Sequence, residues 1–402
     1  MENPFNNNLQ FIKRIKIKID DIAELMKDSS QSNPDLTGGK AGELFFWAYY
    51  SLYKKDEVIV NKVTDLLSEI FEEIEKGFNY STFSGGLAGI GWIVEFLVES
   101  DFIDVDTNEL LGELDAYLHS LMIAEIKKGN YDFLHGALGL AFYFLQRSNK
   151  DSQKYLSEFV FELNKEAVKN DVGISWISEL NHETHTRGFN LSLSHGLSSI
   201  IVILSKIYNQ GIEKEISLEL LEGSVKYLLN QQLDSSKFYS TFPSWITESD
   251  SSTNSRLAWC YGDLGIGIAL WLAGRNANKE EWKDKAVEIL LKTTKRKEIK
   301  ETGVVDAGLC HGAAGIAHIY NRLYNYTKIE DFKKSAEYWY KQTLELATYK
   351  DCLSGYKAYR MEKYGGPIEE FGFLEGLAGI GLSLIHSISD IEPAWDECLL
   401  LS

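Results

Sequence analysis

The stretch GLAGIGWIVEF, residues Gly86–Phe96, decides the fold, because it joins two glycines three positions apart to an apolar run. A Gly-x-x-Gly spacing recurs in segments that begin at Gly39, Gly86, Gly136, Gly262, Gly312 and Gly376. A seventh copy begins at Gly196 and carries Ser199 in place of the second glycine. Successive first glycines are 47, 50, 60, 66, 50 and 64 residues apart. Seven copies at this quasi-regular spacing predict a repeat architecture.

Each copy opens an apolar segment, such as IIVILSKIY after Ser199 or IAHIYNRLY after Gly315. These segments are apolar on most faces, which is typical of buried helices. Charged stretches lie between them, for example residues 61–76 and 284–298, with apolar positions at helical spacing. One repeat is therefore an outer, solvent-facing helix followed by an inner helix, and about 50 residues suffice for such a pair.

Seven helix pairs form either an open solenoid or a closed ring. An open solenoid needs polar caps at its ends, but the first and last copies are as apolar as the middle ones. We therefore predict an all-α fold, an α/α toroid with a double ring of seven inner and seven outer helices. It forms a single domain over residues 1–402, with the repeats at roughly 36–385. The glycines are interpreted as packing residues at the inner helix starts, which gather on one face.

Composition limits the class of protein. The chain has 402 residues, of which 44% are hydrophobic, and its net charge of −18 argues against nucleic-acid binding. Its N-terminus has no continuous apolar segment of signal-peptide length. The longest apolar runs fall short of the roughly 18 residues that span a bilayer. Four cysteines are too few for a disulfide framework, so we expect a reduced, cytoplasmic protein that is not an integral membrane protein.

Three residues next to the repeat glycines are candidate metal ligands. Cys260 and Cys310 occupy the same place in adjacent repeats, and His311 follows Cys310. Because adjacent repeats bring equivalent positions together, these side chains can converge. Two thiolates and one imidazole suit Zn²⁺ and leave its fourth tetrahedral position open, as in catalytic zinc sites. Cys352 and Cys398 lie outside the repeat positions and are interpreted as small buried side chains.

Other polar residues lie close to the same repeat positions. His135 and His195 each precede a repeat glycine, Asp132 lies four residues before Gly136, and Arg256 lies four before Cys260. A histidine, a carboxylate and a guanidinium beside a metal can supply a proton donor, its orienting group and a cation. The residues alone leave helix capping by Asp132, a surface salt bridge for Arg256 and a satisfied turn for His195 equally open.

Four motifs carry a resemblance to a known family. In chain order they are NLSLSHG, SRLAWCYGDLGIG, GLCHGAAGI and FLEGLAGIGL. Together with the repeats they resemble the lanthionine synthetase C family of cyclases, from about residue 36 to 385. The resemblance implies an α/α toroid with a central zinc ion held by Cys260, Cys310 and His311. It also implies active-site positions at Asp132, His195, Arg256 and Tyr261.

The family resemblance also implies an activity and partners. The activity is addition of a peptide cysteine thiol to dehydroalanine or dehydrobutyrine, which closes lanthionine or methyllanthionine rings. No kinase or dehydratase region is present, which is typical of the stand-alone cyclases. Its substrate would be a dehydrated precursor peptide, and a separate dehydratase and a membrane transporter are partners that the family allows, in a complex at the membrane. Family members often have Pro-Gly where this chain has Ser198 and Ser199, so we expect that helix to start slightly differently.

The mechanistic hypothesis assigns proton transfer to His195, its orientation to Asp132, and contact with the developing oxyanion to Arg256 or Tyr261. Three other functions are considered. The first is addition of glutathione or another thiol to dehydrated residues at the same zinc site. The second is glycoside hydrolysis by Asp132 with Glu375 or Glu43, which leaves the cysteines unexplained. The third is a helical-repeat module that binds peptides without metal or catalysis.

Overall fold

The repeat glycines mark the helix starts. A computed structural model of the chain describes residues 5, 8–29, 31–147, 149–181, 183–247 and 253–402, and its elements are numbered here in chain order. Seven inner helices, buried on most faces, each begin one residue after the first glycine of a copy. They are α2 (Lys40–Lys54), α4 (Leu87–Glu99), α6 (Ala137–Arg147), α8 (Leu197–Asn209), α10 (Asp263–Asn276), α13 (Ala313–Thr327) and α15 (Leu377–Ile388). The predicted inner helices are therefore confirmed.

Seven amphipathic helices alternate with the inner ones. They are α1 (Leu9–Met26), α3 (Glu57–Glu75), α5 (Thr107–Lys127), α7 (Lys150–Lys165), α9 (Lys214–Leu229), α11 (Glu280–Thr293) and α14 (Glu330–Glu345). In α3 the carboxylate of Asp56 caps the helix by accepting from the Val58 N–H at 3.0 Å. The sequence predicted outer helices at residues 61–76 and 284–298. The corresponding helices α3 and α11 each begin four residues earlier, and α11 ends at Thr293. A short helix, α12 (Ile299–Thr302), follows α11.

The chain divides into two compact units. The first comprises residues 1–79, 257–259 and 294–399, and the second comprises residues 80–256, 260–293 and 400–402. The prediction of a single domain over residues 1–402 stays a prediction.

The first unit brings the two ends of the repeat array together. Its inner helices α13, α15 and α2 pack side by side, and α1 packs against α15. In addition, the Leu374 N–H of the seventh copy donates to the Thr37 carbonyl of the first copy at 2.9 Å. The first and last copies are therefore direct neighbours within the first unit.

The second unit contains inner helices α4, α6, α8 and α10, which pack in chain order, with outer helices α5, α7, α9 and α11 against them. Arg147 of α6 is almost fully buried and binds Asp115 of α5, with Nη2 2.7 Å from Oδ2. It also contacts the carboxylate of Glu95 on α4. One guanidinium thus links α6 to the preceding inner helix α4 and to the outer helix α5, and buried carboxylates need such a partner.

Short strands that the sequence analysis did not predict lie in the segments between Gly136 and Gly196 and between Gly196 and Gly262. They are β1 (Val168–Asn170), β2 (Gly173–Ser175), β3 (Ser178–Asn181), β4 (Thr186–Asn190) and β5 (Trp245–Ile246). Strands β1 and β2 form one antiparallel hairpin, and β3, β4 and β5 form a second antiparallel sheet. Strands of two to five residues carry too little alternation to be recognised. They do not change the all-α class.

Hydropathy of the helices bears on membrane insertion. Among the described residues, no helix combines the length and the apolar content that crossing a bilayer requires.

Candidate functional site

The repeat glycines are confirmed as packing residues. A Cβ atom on Gly39 would lie 2.2 Å from the Asn33 carbonyl oxygen, and one on Gly262 would lie 2.0 Å from that of Arg256. Gly262 also has φ +100°, which is unfavourable for other residues. In six of the seven copies the loop therefore folds back tightly on the backbone six residues earlier, and at Gly312 it folds back on Gly308 and Ala307. This fixes the few residues before the glycine, where the candidate site residues lie.

The copy that carries Ser199 in place of the second glycine starts its helix in the same way. Helix α8 begins at Leu197, directly after Gly196, as in the other copies. The expectation of a different start is therefore wrong. The hydroxyl of Ser198 donates to the Leu191 carbonyl at 2.6 Å, and that of Ser199 donates to the Gly196 carbonyl at 2.7 Å. Both buried hydroxyls are satisfied locally, so this loop needs no second glycine.

Backbone hydrogen bonds connect the loops that carry the candidate metal ligands. In the first unit, the Trp259 N–H donates to the Cys310 carbonyl at 3.2 Å. Cys260 is the next residue in the chain. Within the second unit, the Cys260 carbonyl accepts from the Leu193 N–H at 3.1 Å. The bond from Trp259 to Cys310 thus joins, within the first unit, the two loops that the repeat alignment made equivalent.

The three predicted metal ligands come together. The sulfur atoms of Cys260 and Cys310 and a ring nitrogen of His311 all lie within 4.8 Å of one another, with Cys260 buried and the other two half-buried. Zn–S bonds of about 2.3 Å at tetrahedral angles place sulfur ligands about 3.8 Å apart. The donor set and its spacing therefore fit a zinc ion after a small inward shift. Cys352 and Cys398 are buried, as expected for packing residues.

A carboxylate lies beside the histidine of this cluster. Oδ2 of the buried Asp306 is 4.0 Å from Nε2 of His311, and it accepts from the Tyr359 N–H at 3.0 Å. The distance to His311 is too long for a hydrogen bond. An acidic group near a metal-binding imidazole is a common partner that orients the ring.

His195 and Asp132 form a hydrogen-bonded pair. Nδ1 of His195 lies 2.7 Å from Oδ2 of Asp132, and each side chain is about a quarter exposed. The other oxygen, Oδ1, accepts the N–H groups of Leu134 at 2.7 Å and His135 at 2.8 Å. Asp132 therefore combines two roles that the sequence left as alternatives. It caps its own loop and orients His195.

The surroundings set opposite pKa shifts for the two neighbouring histidines. Burial lowers the pKa of His195, but the hydrogen bond and charge of Asp132 outweigh burial and raise it above its usual value. For His135 burial dominates over the attraction of Asp132, so its pKa is lowered. The two rings are stacked with centroids 6.0 Å apart. His195 is thus the ring more suited to hold a proton.

Tyr261 lies next to His195. Their ring centroids are 5.7 Å apart, and the Tyr261 hydroxyl accepts from the Asn190 side-chain amide at 3.4 Å. Burial is the main cause that raises the pKa of Tyr261 above its usual value. The phenol therefore stays protonated at neutral pH and can donate a hydrogen bond.

A cleft of about 670 Å³ opens over His195, Asp132 and Tyr261 within the second unit. The loop before α6 and the hairpin of β3 and β4 form the rest of its wall. The lining residues in these two segments include Tyr131, His135, Ser178, Glu179, His185, Arg187 and Asn190. Arg256, the fourth predicted catalytic residue, is half-buried and does not line this cleft. The structure thus brings three of the four together.

Sequence reasoning missed several cleft residues. Asn190 opens the motif NLSLSHG and lies six residues before Gly196, as Asn130 lies before Gly136. That repeated asparagine was an available signal. Glu179, His185 and Arg187 lie in the β-hairpin, and nothing in the local sequence pointed to them.

Comparisons with known proteins extend over nearly the whole chain. A family model described as lanthionine synthetase C-like protein matches residues 30–400. The nisin biosynthesis protein NisC of Lactococcus lactis subsp. lactis is 23% identical over 428 aligned positions, which cover 97% of this chain and 96% of NisC. The solved structure of nisin cyclase superimposes with a TM-score of 0.75 at 21% identity, covering 97% of this chain and 98% of that one. This structural likeness confirms the predicted all-α, α/α toroid class.

Proposed function

The chain belongs to the lanthionine synthetase C-like family, and on that basis we propose that it is a zinc-dependent lanthipeptide cyclase. It would close lanthionine and methyllanthionine rings by adding cysteine thiols of a peptide to dehydroalanine or dehydrobutyrine. The observation that carries this proposal is the meeting of Cys260, Cys310 and His311. A metal-free binding module has no use for two thiols and an imidazole at matched repeat positions.

The chemical problem is to activate a thiol and then to deliver a proton. A free cysteine has a pKa of about 8.5 and is mostly protonated at neutral pH. A zinc ion held by Cys260, Cys310 and His311 would lower the pKa of a substrate thiol and orient its sulfur. The two protein cysteines would keep the site electron-rich, so that the sulfur stays nucleophilic.

The protons and bonds balance within the peptide. The thiol loses its proton, a C–S bond forms at the β-carbon, and the C=C bond opens to an enolate that takes up a proton at the α-carbon. The product has the same mass as the dehydrated peptide and one fewer free thiol per ring. The protein must therefore hold a proton near the α-carbon and stabilise the enolate oxygen.

We assign the proton to Nε2 of His195. Asp132 engages Nδ1 at 2.7 Å, so Nε2 is the nitrogen that remains for exchange with a substrate. The raised pKa of His195 keeps a larger fraction of the ring protonated near neutral pH than in a free imidazole. Asp132 contributes by fixing the tautomer and the ring orientation.

The enolate oxygen needs a hydrogen-bond donor. Of the two residues that the sequence suggested, Tyr261 lines the cleft and Arg256 does not. Tyr261 is also held near His195 by Asn190, and its raised pKa keeps the O–H available. We therefore assign this contact to Tyr261 and leave Arg256 as a supporting cation.

The proposed substrate is a dehydrated precursor peptide. The cleft has room for a peptide segment and presents donors and acceptors along both walls. A separate dehydratase would supply the dehydroamino acids, and a membrane transporter would export the product. We propose a cytoplasmic location, with the enzyme assembled on these partners at the membrane.

The decisive experiment incubates the zinc-loaded protein with a dehydrated peptide that contains cysteine. We expect no change in peptide mass and loss of thiols that react with an alkylating reagent. Addition of the mass of glutathione, when glutathione is present, would support intermolecular thiol addition instead. No change in free thiols with any dehydrated peptide would favour the non-catalytic module and overturn the proposal.

A further inference from the structure

The last turn of the chain in the first unit is unusually well buried. Residues Ala394–Leu399 form a 3₁₀ helix, in which Trp395, Asp396, Cys398 and Leu399 are 0–3% exposed. The burial here calls for an explanation in terms of what the segment contacts.

A buried ion pair ties this segment to the inner helix α13. Asp396 accepts from Arg322 Nε at 2.6 Å and from Arg322 Nη2 at 2.8 Å, and its Oδ2 lies 2.6 Å from Nε2 of His318. All three side chains are at most 3% exposed. Breaking such a buried pair leaves an uncompensated charge. The segment is therefore held in one position.

The segment reaches the candidate metal centre through one side chain. The indole Nε1–H of Trp259 donates to the Leu399 carbonyl at 2.7 Å, across 140 residues of sequence. The backbone N–H of the same Trp259 donates to the Cys310 carbonyl at 3.2 Å. Cys260 follows it in the chain. One residue thus joins the C-terminal segment to both cysteines of the cluster.

We propose that Trp259, braced by the C-terminal segment 394–399, is a positioning residue that sets the spacing of the metal ligands Cys260 and Cys310. This inference rests on the proposed zinc function. The indole is 1% exposed, and its N–H is held by the Leu399 carbonyl, which lies outside the metal cluster. The tryptophan of the motif WCYG, which the mechanism does not use, thereby receives a role.

The physical consequence concerns metal affinity. Each cysteine loop keeps its own fold when the brace is lost, because the glycine contacts are local. The two loops then share a weaker restraint, and the metal must order them at the moment it binds. Loss of residues that contact the metal ligands without binding the metal themselves typically changes metal affinity by about 10- to 100-fold. We expect that range for loss of the Trp259 hydrogen bond.

The test compares two substitutions of the same chemistry in the full-length protein. Trp259→Phe removes the indole N–H and leaves the Leu399 carbonyl without its donor. Trp176→Phe is the matched control, since Nε1 of buried Trp176 donates to the Leu163 carbonyl at 2.8 Å in the second unit. Affinity for Zn²⁺ is measured by competition with a chromophoric chelator, and ligand geometry by the visible absorption of bound Co²⁺.

We expect Trp259→Phe to bind Zn²⁺ about 10- to 100-fold more weakly, with a shifted Co²⁺ spectrum, and Trp176→Phe to match the wild type. Asp396→Asn, verified as folded by circular dichroism, should change affinity in the same direction. Wild-type affinity and spectrum in both Trp259→Phe and Asp396→Asn would overturn the inference alone. Absence of zinc binding by the wild type would overturn the proposed function as well.

Discussion

Oδ2 of Asp132 lies 2.7 Å from Nδ1 of His195, while Oδ1 of the same carboxylate accepts two backbone N–H groups. One carboxylate therefore holds both the loop before α6 and the imidazole ring of the next repeat. This dual engagement makes the Asp132→Asn substitution informative, because an amide can still accept at one oxygen but cannot accept from Nδ1–H with its nitrogen.

We expect Asp132→Asn to lower the cyclisation rate by at least about 100-fold, the usual contribution of a well-placed acid or base. Asp132 raises the pKa of His195, so its loss lowers that pKa. If protonated His195 delivers the proton, the activity of the variant should fall at a lower pH than that of the wild type. Cyclisation rates measured between pH 5 and 9 check both effects.

The matched control for Asp132→Asn is Glu158→Gln. Glu158 pairs with His119 at 3.0 Å on the outer helices, away from the cleft. This control should keep wild-type activity, and both variants should keep their zinc. Equal activities of the two variants would show that the Asp132–His195 pair does no catalytic work.

The buried Glu43 at the start of α2 predicts a pH-dependent stability. Burial is the main cause that raises its pKa to about 7, against smaller opposing effects of Ser29 and nearby lysines. The folded state thus binds this proton more tightly than the unfolded state, where the pKa is 4.5. The tighter binding of this proton in the folded state adds to the free energy of unfolding. That contribution is fully present below pH 4.5 and is lost as the pH rises through 7.

Glu43→Gln removes this titration. The free energy of unfolding of the variant, relative to the wild type, should rise by about 2–3 kcal/mol between pH 5 and pH 8. Urea titrations of both proteins at these two pH values measure it. Parallel pH dependence of the two proteins would show that Glu43 is not protonated preferentially in the folded state.

The ion pairs of Arg147 are buried, so we expect the loss of this cation to destabilise the protein much more than the loss of a cation in an exposed pair. Arg147→Met leaves the buried Asp115 and Glu95 without their cation, which should reduce the free energy of unfolding by about 3–5 kcal/mol. The control Lys279→Met breaks the exposed pair with Glu222, 2.6 Å long, and should cost less than about 1 kcal/mol. Similar losses in the two variants, measured by urea unfolding, would contradict this account.

The sequence was informative wherever a feature repeats. The glycines predicted every inner helix start, and the equivalence of Cys260 and Cys310 predicted the metal cluster, because a repeat converts sequence register into spatial neighbourhood. Contacts that occur once left no such pattern. The hydrogen bond of Trp259 to Leu399 and the lining of the cleft by Arg187 depend on segments far apart in the chain or on strands too short to recognise.

The departures have local physical reasons. Ser198 and Ser199 were expected to alter a helix start, but their hydroxyls bond to nearby carbonyls and the helix begins as in the other copies. Arg256 was expected near the open metal position because it precedes Cys260 by four residues, and that role stays a prediction. Its carbonyl closes the loop around Gly262, and its side chain lies outside the cleft.

The central claim is that Cys260, Cys310 and His311 hold a zinc ion, and the zinc content of purified protein tests it most directly. We expect one zinc per chain in the wild type and in Cys352→Ala, whose cysteine is buried elsewhere in the first unit. Cys260→Ala and Cys310→Ala should contain none and should not cyclise peptide. Full zinc content in both of these variants would contradict the account.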